Sequence, residues 1–341
     1  MPKKNNKKYQ KSLHQQAYEK LNSMTAFGQS RQRAKANGTD GEKIFSYATY
    51  HTYQKHIGYY FAWLKSAHPN VTTLKKARKY VSEWLQQRVD QGLSAHTIRT
   101  EQAALNKLFG IKADDKDYFI VPKREREKIK RSRTSTKQDA HFSTTNNAEI
   151  IAFGKGTGLR KNKELAELRG GDIASRGQLI QRLKELGNAS VLLPEDTKIK
   201  TLIENALMFE GVTDFVYVRN GKGGKPRLAP IIGDNSERIA SRIRSTPAKE
   251  KVWSHIPKNM DEHSYRADYC AAIYKHYARE IDDIPFDGIN KGSGKKFQRD
   301  VYACRKDEKG KKLDKRAMKY CSVALGHNRI SVVADHYLYG I

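Results

Sequence analysis

The sequence predicts a mainly α-helical protein of two domains, with one small β-hairpin in the second. Three observations predict it. Apolar residues recur every three or four positions through successive stretches between residues 44 and 109, the spacing that lines one face of a helix. A run rich in Lys and Arg, 121–142, separates these stretches from the remainder. Beyond it, arms rich in β-branched and aromatic residues flank Asn-Gly-Lys-Gly-Gly at 220–224, a sequence suited to a hairpin turn.

Residues 1–40 are polar and basic and read as a mostly flexible arm, with a short helix possible around 15–24. Ile44, Tyr47, Tyr50, Tyr53, Ile57, Tyr60, Phe61 and Leu64 form the first helical stripe. After a break at His68-Pro69, Val71, Leu74, Ala77, Val81, Trp84 and Leu85 form a second. Gly92 stops it, Ser94 suits an N-cap, and Ile98, Leu105, Leu108 and Phe109 form a third. Together they predict a small helical domain over 41–120. Eight of the fifteen residues from Lys123 to Lys137 are basic and two are acidic, which predicts an extended linker. The second domain, 143–341, adds helices within 174–210, the hairpin around 220–224, and a hairpin or basic loop at 302–315. Its final stretch, 324–341, reads as a last helix bearing His327 and Tyr337.

Lys and Arg number 65 against 37 Asp and Glu, a formal charge of +28. Such an excess repels itself and is best explained by a polyanionic partner whose counterions are released on binding. Nucleic acid is favoured over a membrane surface: no apolar run approaches the ~20 residues of a span, and the start of the chain has no apolar signal core. Cys270, Cys304 and Cys321 are widely spaced with no C-x-x-C pair, so neither a zinc module nor a disulfide framework is expected, and a cytoplasmic setting is. No carboxylate pair or metal-ligand cluster stands out, and no cofactor is expected.

Four separated pieces carry candidate chemistry: Thr-Gly-Leu-Arg ending at Arg160, Gly-Lys-Gly at Lys222, His-x-x-Arg at His263 and Arg266, and Leu-Gly-His at His327 followed ten residues later by Tyr337. Each alone is weak. In this order, within a basic two-domain chain, the set resembles the tyrosine recombinase (phage integrase) family over roughly 44–341. The stretch 92–110 also resembles the end of that family's helical core-binding domain.

The resemblance implies a two-domain clamp around duplex DNA: a helical core-binding domain and a mixed α+β catalytic domain. It implies metal- and ATP-independent strand cleavage and religation through a 3′-phosphotyrosyl intermediate, with integration or excision of a bacterial mobile element. Four protomers would act in synapsis, with monomers or dimers free in solution. A tyrosine phenolate can attack phosphorus and later leave, and guanidiniums best stabilise charge growing on non-bridging oxygens. The implied roles are Tyr337 as nucleophile, Arg160 and Arg266 on the phosphate, Lys222 as proton donor to the 5′-oxygen, and His263 and His327 as further donors or acceptors. Tyr339 is a rival nucleophile, and the family's usual His-to-Tyr interval selects Tyr337. Lys225 and Arg227 on the hairpin, and Lys123, Arg124, Arg126, Lys128, Lys130, Arg131 and Arg133 in the linker, are expected phosphate contacts.

One departure leaves two alternatives. The family pattern R-x-x-E-L-x-x-L places the acid three residues after the arginine, but here Glu164 follows Arg160 by four. Either the helix accommodates an extra residue and Arg160 is the first guanidinium, or Lys161 stands in that position as a DNA contact without a planar fork. In the latter case the protein would bind DNA and cleave it slowly, or not at all. A type IB topoisomerase is the nearest alternative activity. Only four residues follow Tyr337, so docking between protomers is expected to use 174–210 or the segment near 300–315.

Overall fold

The computed structural model describes residues 11–123, 142–188, 193–221, 224–305, 308–339 and 341. The chain is mainly helical with small antiparallel sheets, and it divides into two compact units, 1–130 and 131–341. Among the described residues no helix is long and apolar enough to cross a membrane.

The first unit contains α1 (Leu13–Ser23), α2 (Arg31–Ala36), α3 (Tyr47–Ala67), α4 (Leu74–Ala77), α5 (Val81–Asp90) and α6 (Ala95–Phe109). Side-chain oxygens of Ser12, Ser30, Ser46, Thr73 and Ser94 accept a backbone N–H two or three residues into α1, α2, α3, α4 and α6 respectively, meeting donors a helix start leaves unpaired. The anticipated stripes form the core, where Ile44, Ile57, Tyr60, Leu64, Leu85, Ile98, Leu105 and Leu108 are almost wholly buried. The reading of 1–40 as a flexible arm needs correction over its described part. Ala17 and Leu21 of α1, Ala26, and Ala34 of α2 are buried, and Ala26 N–H donates to Ile44 O at 2.9 Å. Small apolar residues at helical spacing suffice to dock these helices although lysine and arginine dominate the composition.

The second unit opens with α7 (Ala148–Thr157), followed by a single π-helical turn, Lys161–Leu165. A three-stranded antiparallel sheet has the order β1 (Ile173–Ser175), β2 (Asp214–Val218), β3 (Arg227–Pro230). Between β1 and β2 run α8 (Arg176–Gly187) and α9 (Pro194–Leu207), the helices anticipated in 174–210. Then follow α10 (Ser236–Ser245), α11 (Glu262–Tyr277), the pair β4 (Gly288–Ile289) and β5 (Lys296–Phe297), the pair β6 (Val301–Ala303) and β7 (Lys312–Asp314), α12 (Lys315–Leu325) and α13 (Ser331–His336). The β6–β7 pair resolves the choice at 302–315 in favour of a hairpin, with Tyr302 opposite Leu313. Helix α11 packs between α7 and α12. Its Tyr269, Cys270 and Ile273 are almost wholly buried with Ala317, Met318, Cys321 and Leu325 of α12.

Candidate active site

Helix α7 ends at Gly158, whose φ of +60° is left-handed, and a Cβ there would lie 2.4 Å from the Tyr269 ring. Conformation and space both require glycine. The chain passes buried Leu159 and reaches Arg160 in extended geometry. Leu165 N–H then donates to Arg160 O at 2.8 Å, and Ala166 N–H to Lys161 O at 3.1 Å, bonds that span five residues and absorb one residue more than an α-turn. The turn thus accommodates the extra residue between Arg160 and Glu164.

Glu164, at the far side of this turn, reaches back. Its Oε2 accepts from Arg160 N–H at 2.9 Å and its Oε1 from Arg160 Nη1 at 2.5 Å. The same carboxylate accepts from Arg227 Nη1 at 2.9 Å and Nη2 at 2.7 Å, and Arg266 Nη1 lies 3.8 Å from Oε2. One buried carboxylate therefore faces three guanidiniums, leaving an excess of two positive charges. Burial acts to raise the Glu164 pKa, but the hydrogen bond and charge of Arg227, with Arg160, outweigh it and lower the value to about 2.

Arg266 has no exposed surface. It donates through Nη1 to Gly158 O and through Nη2 to Leu325 O at 3.3 Å. Its Nε is buried without a hydrogen-bond partner among the described residues. Burial pushes its pKa down from the usual arginine value, and Tyr337 opposes that shift while Arg160 and Arg227 add to it.

Tyr337 stands just beyond α13, its N–H donating to Val333 O at 2.9 Å. Fully buried Leu338 pins the chain in the core, and Lys311 Nζ donates to Leu338 O at 2.8 Å. The Tyr337 ring is buried, with its centroid 5.7 Å from Arg266 Cζ and 5.4 Å from the His327 ring. His327 is not on a helix. It follows Gly326, the left-handed cap of α12, and its N–H donates to Ser322 O at 2.8 Å. Placing His327 and Tyr337 on one last helix is corrected accordingly: α13 lies between them, and neither is part of it. Tyr339 is 41% exposed.

The other anticipated residues have different fates. Lys161 Nζ donates to Lys258 O at 2.7 Å and Met260 O at 3.3 Å. It secures the loop before α11 rather than joining the arginine cluster. Arg227, expected on phosphate, is buried in the Glu164 pair, and its Nε donates to Ala324 O at 3.1 Å. Lys225 is exposed, its Nζ 3.3 Å from Asn328 Oδ1. His263 is exposed on the first turn of α11, its Nε2 3.8 Å from Glu262 Oε1. Lys123 is exposed. Lys222, Arg124, Arg126, Lys128, Lys130, Arg131 and Arg133 lie outside the described residues. Gly221, next to Lys222, lies against the cluster: a Cβ there would be 3.2 Å from Arg227 Nη1 and 3.6 Å from Glu164 Oε1.

Sequence reasoning missed Glu164 as the hub and Arg227 as its main partner. The signal was an acid four residues after Arg160 and an arginine two residues after Lys225. No family model matches the chain, and no curated protein matches it.

Proposed function

We propose that the chain is a site-specific recombinase that cuts and rejoins DNA through a covalent bond between Tyr337 and a 3′-phosphate. The observation that carries this reading is the meeting of Tyr337 with Arg266, a fully buried guanidinium whose Nε has no hydrogen-bond partner among the described residues, in a cluster carrying net positive charge. A buried donor without a partner is rare in a folded protein, and a phosphate oxygen is a strong acceptor for it.

In the proposed step the phenolic oxygen of Tyr337 bonds to phosphorus and the bond from phosphorus to the 5′-oxygen breaks. The phenolic proton passes to a base, for which His327 is the nearest ring and His263 the second candidate. The departing 5′-oxygen takes a proton from Lys222. Arg160 and Arg266 balance the charge gathering on the non-bridging oxygens, and Arg227 holds Glu164 so that Arg160 is presented from a fixed turn. Reversal by a second 5′-hydroxyl rejoins the strand without an external energy source. The linker lysines and arginines and Lys225 supply phosphate contacts, and four protomers assemble two duplexes for exchange.

The test is a nicked suicide substrate from which the cleaved 5′ end diffuses away. Wild-type protein is expected to accumulate a protein–DNA adduct that survives denaturing electrophoresis. Tyr337→Phe should form none while retaining DNA affinity, and Tyr339→Phe should behave as wild type. An adduct with Tyr337→Phe, or none with wild type on any recombination-site library, would overturn the reading. Relaxation of a single plasmid without exchange between two sites would reassign it to a topoisomerase.

A further inference from the structure

Between α11 and α12 the chain carries two small hairpins, and the first combines apolar and cationic exposure. Phe286 and Ile289 are each 62% exposed and Phe297 46%. Lys291, Lys295, Lys296 and Arg299 are exposed with them, and Asp287 is the only acid in 285–299. Strand pairing sets Ile289 directly opposite Lys296 and Gly288 opposite Phe297, so an apolar and a cationic side chain are neighbours on one face. A Cβ on Gly288 would lie 2.6 Å from the Phe297 ring: the ring covers the glycine backbone.

A pair this short has no core of its own, yet its base is fixed. Gln298 Nε2 donates to Ile281 O at 2.9 Å and Ile284 O at 2.7 Å. Arg299 N–H donates to Asp287 Oδ1 at 3.0 Å. Arg279, just past α11, holds Asp300 at 3.0 Å and Asp314, the N-cap of α12, at 2.9 Å. The hairpin is thereby mounted on the two helices that lead to Arg266 and His327. Its tip, Asn290 to Lys295, contains only Lys, Gly and Ser between those two positions, which leaves the backbone open to close approach.

We propose that this hairpin is a second contact for duplex DNA, with Lys291, Lys295 and Lys296 on phosphates and Phe286 and Ile289 against the sugars and the floor of a groove. Charge complementarity selects this occupant. A second copy of the chain would bring its own +28 charge against four cations, which opposes a self-contact here, whereas DNA pairs a dense row of phosphates with apolar sugar and base edges. The inference rests on DNA as partner but not on any chemistry at Tyr337.

The experiment is a fluorescence-anisotropy titration of a labelled duplex of arbitrary sequence at several KCl concentrations. The triple variant Lys291→Gln, Lys295→Gln, Lys296→Gln is expected to reduce the slope of log affinity against log salt by about 2.7, ~0.9 per phosphate contact. The double variant Phe286→Ser, Ile289→Ser should bind about tenfold more weakly at every salt concentration with the slope unchanged. Both should melt as wild type does, since the altered side chains are exposed. An unchanged slope in the triple variant overturns the proposal, as does wild-type affinity in the double variant. Loss of self-association by light scattering with DNA affinity intact would assign the face to a second copy instead. The adduct assay separates the two readings: an adduct with an unchanged slope sinks only the hairpin, and a reduced slope with no adduct sinks only the reaction.

Discussion

Removing the charge of Glu164 while keeping its shape, as Glu164→Gln, is the sharpest test of the arginine cluster. The carboxylate is 5% exposed and accepts from Arg160 and Arg227. Holding it near 2 instead of its ordinary 4.5 corresponds, at ~1.4 kcal/mol per tenfold change in proton affinity, to about 3 kcal/mol of stability. Loss of one partner from a buried ion pair costs a similar ~3–5 kcal/mol, because the remaining charges stay buried. The pKa is depressed in the folded state, so this stability is fully present above about pH 4.5 and is lost as pH falls toward about 2. Urea unfolding of wild type and variant, followed by circular dichroism from pH 7 to pH 4, measures the difference. The expected gap is about 3 kcal/mol at pH 7, shrinking once the pH drops below the unfolded carboxyl's value. Added sulfate should stabilise the variant more than wild type, since three guanidiniums would then lack their counter-charge. Equal stability at pH 7, or a gap that is flat with pH, would refute the view of Glu164 as the hub.

Arg160→Ala should slow adduct formation at least ~100-fold by removing a guanidinium from the developing charge, whereas Lys161→Ala should cost only about 1 kcal/mol of stability through its two lost carbonyl contacts and leave the rate within a few-fold; single-turnover cleavage and thermal melting read the two. Leu21→Ala, at 1% exposure in α1, should destabilise the N-terminal unit by about 2–4 kcal/mol, measured by urea unfolding; a mere arm would show no change.

The helical stripes were legible because they depend on local periodicity. Tyr50, Ile57, Tyr60, Phe61 and Leu64 are the buried face of α3, and Ser94 caps α6 with Thr97 N–H at 3.2 Å from its Oγ. The hairpin was legible for the same reason, since turn chemistry is written in consecutive residues. Helix α1 was legible as a short helix around 15–24, but its docking was not, because Ala17 and Leu21 bury little area in a stretch whose charge argues for disorder. Nor was Arg227. Its burial depends on Glu164, 63 residues away, which no local pattern connects to it. A basic residue on a hairpin in a +28 chain reads as a surface charge. Only the packing of β3 beside the π turn makes it an internal counter-ion.

The four-residue spacing from Arg160 to Glu164 fits a clustered site in this turn, where Arg160 O accepts from both Glu164 N–H at 3.1 Å and Leu165 N–H at 2.8 Å. In an α-turn, residues four apart already share a face, but Arg160 precedes the turn in extended geometry, and its backbone N–H must also reach the acid. The wider turn satisfies both at once: Glu164 Oε2 takes the backbone N–H and Oε1 the guanidinium, while Lys161, next along the chain, is carried away toward Met260 O. The turn therefore directs two adjacent cations to different partners. One is set among buried guanidiniums beside a phenol, and the other ties the turn to the loop from which α11, with Arg266, begins.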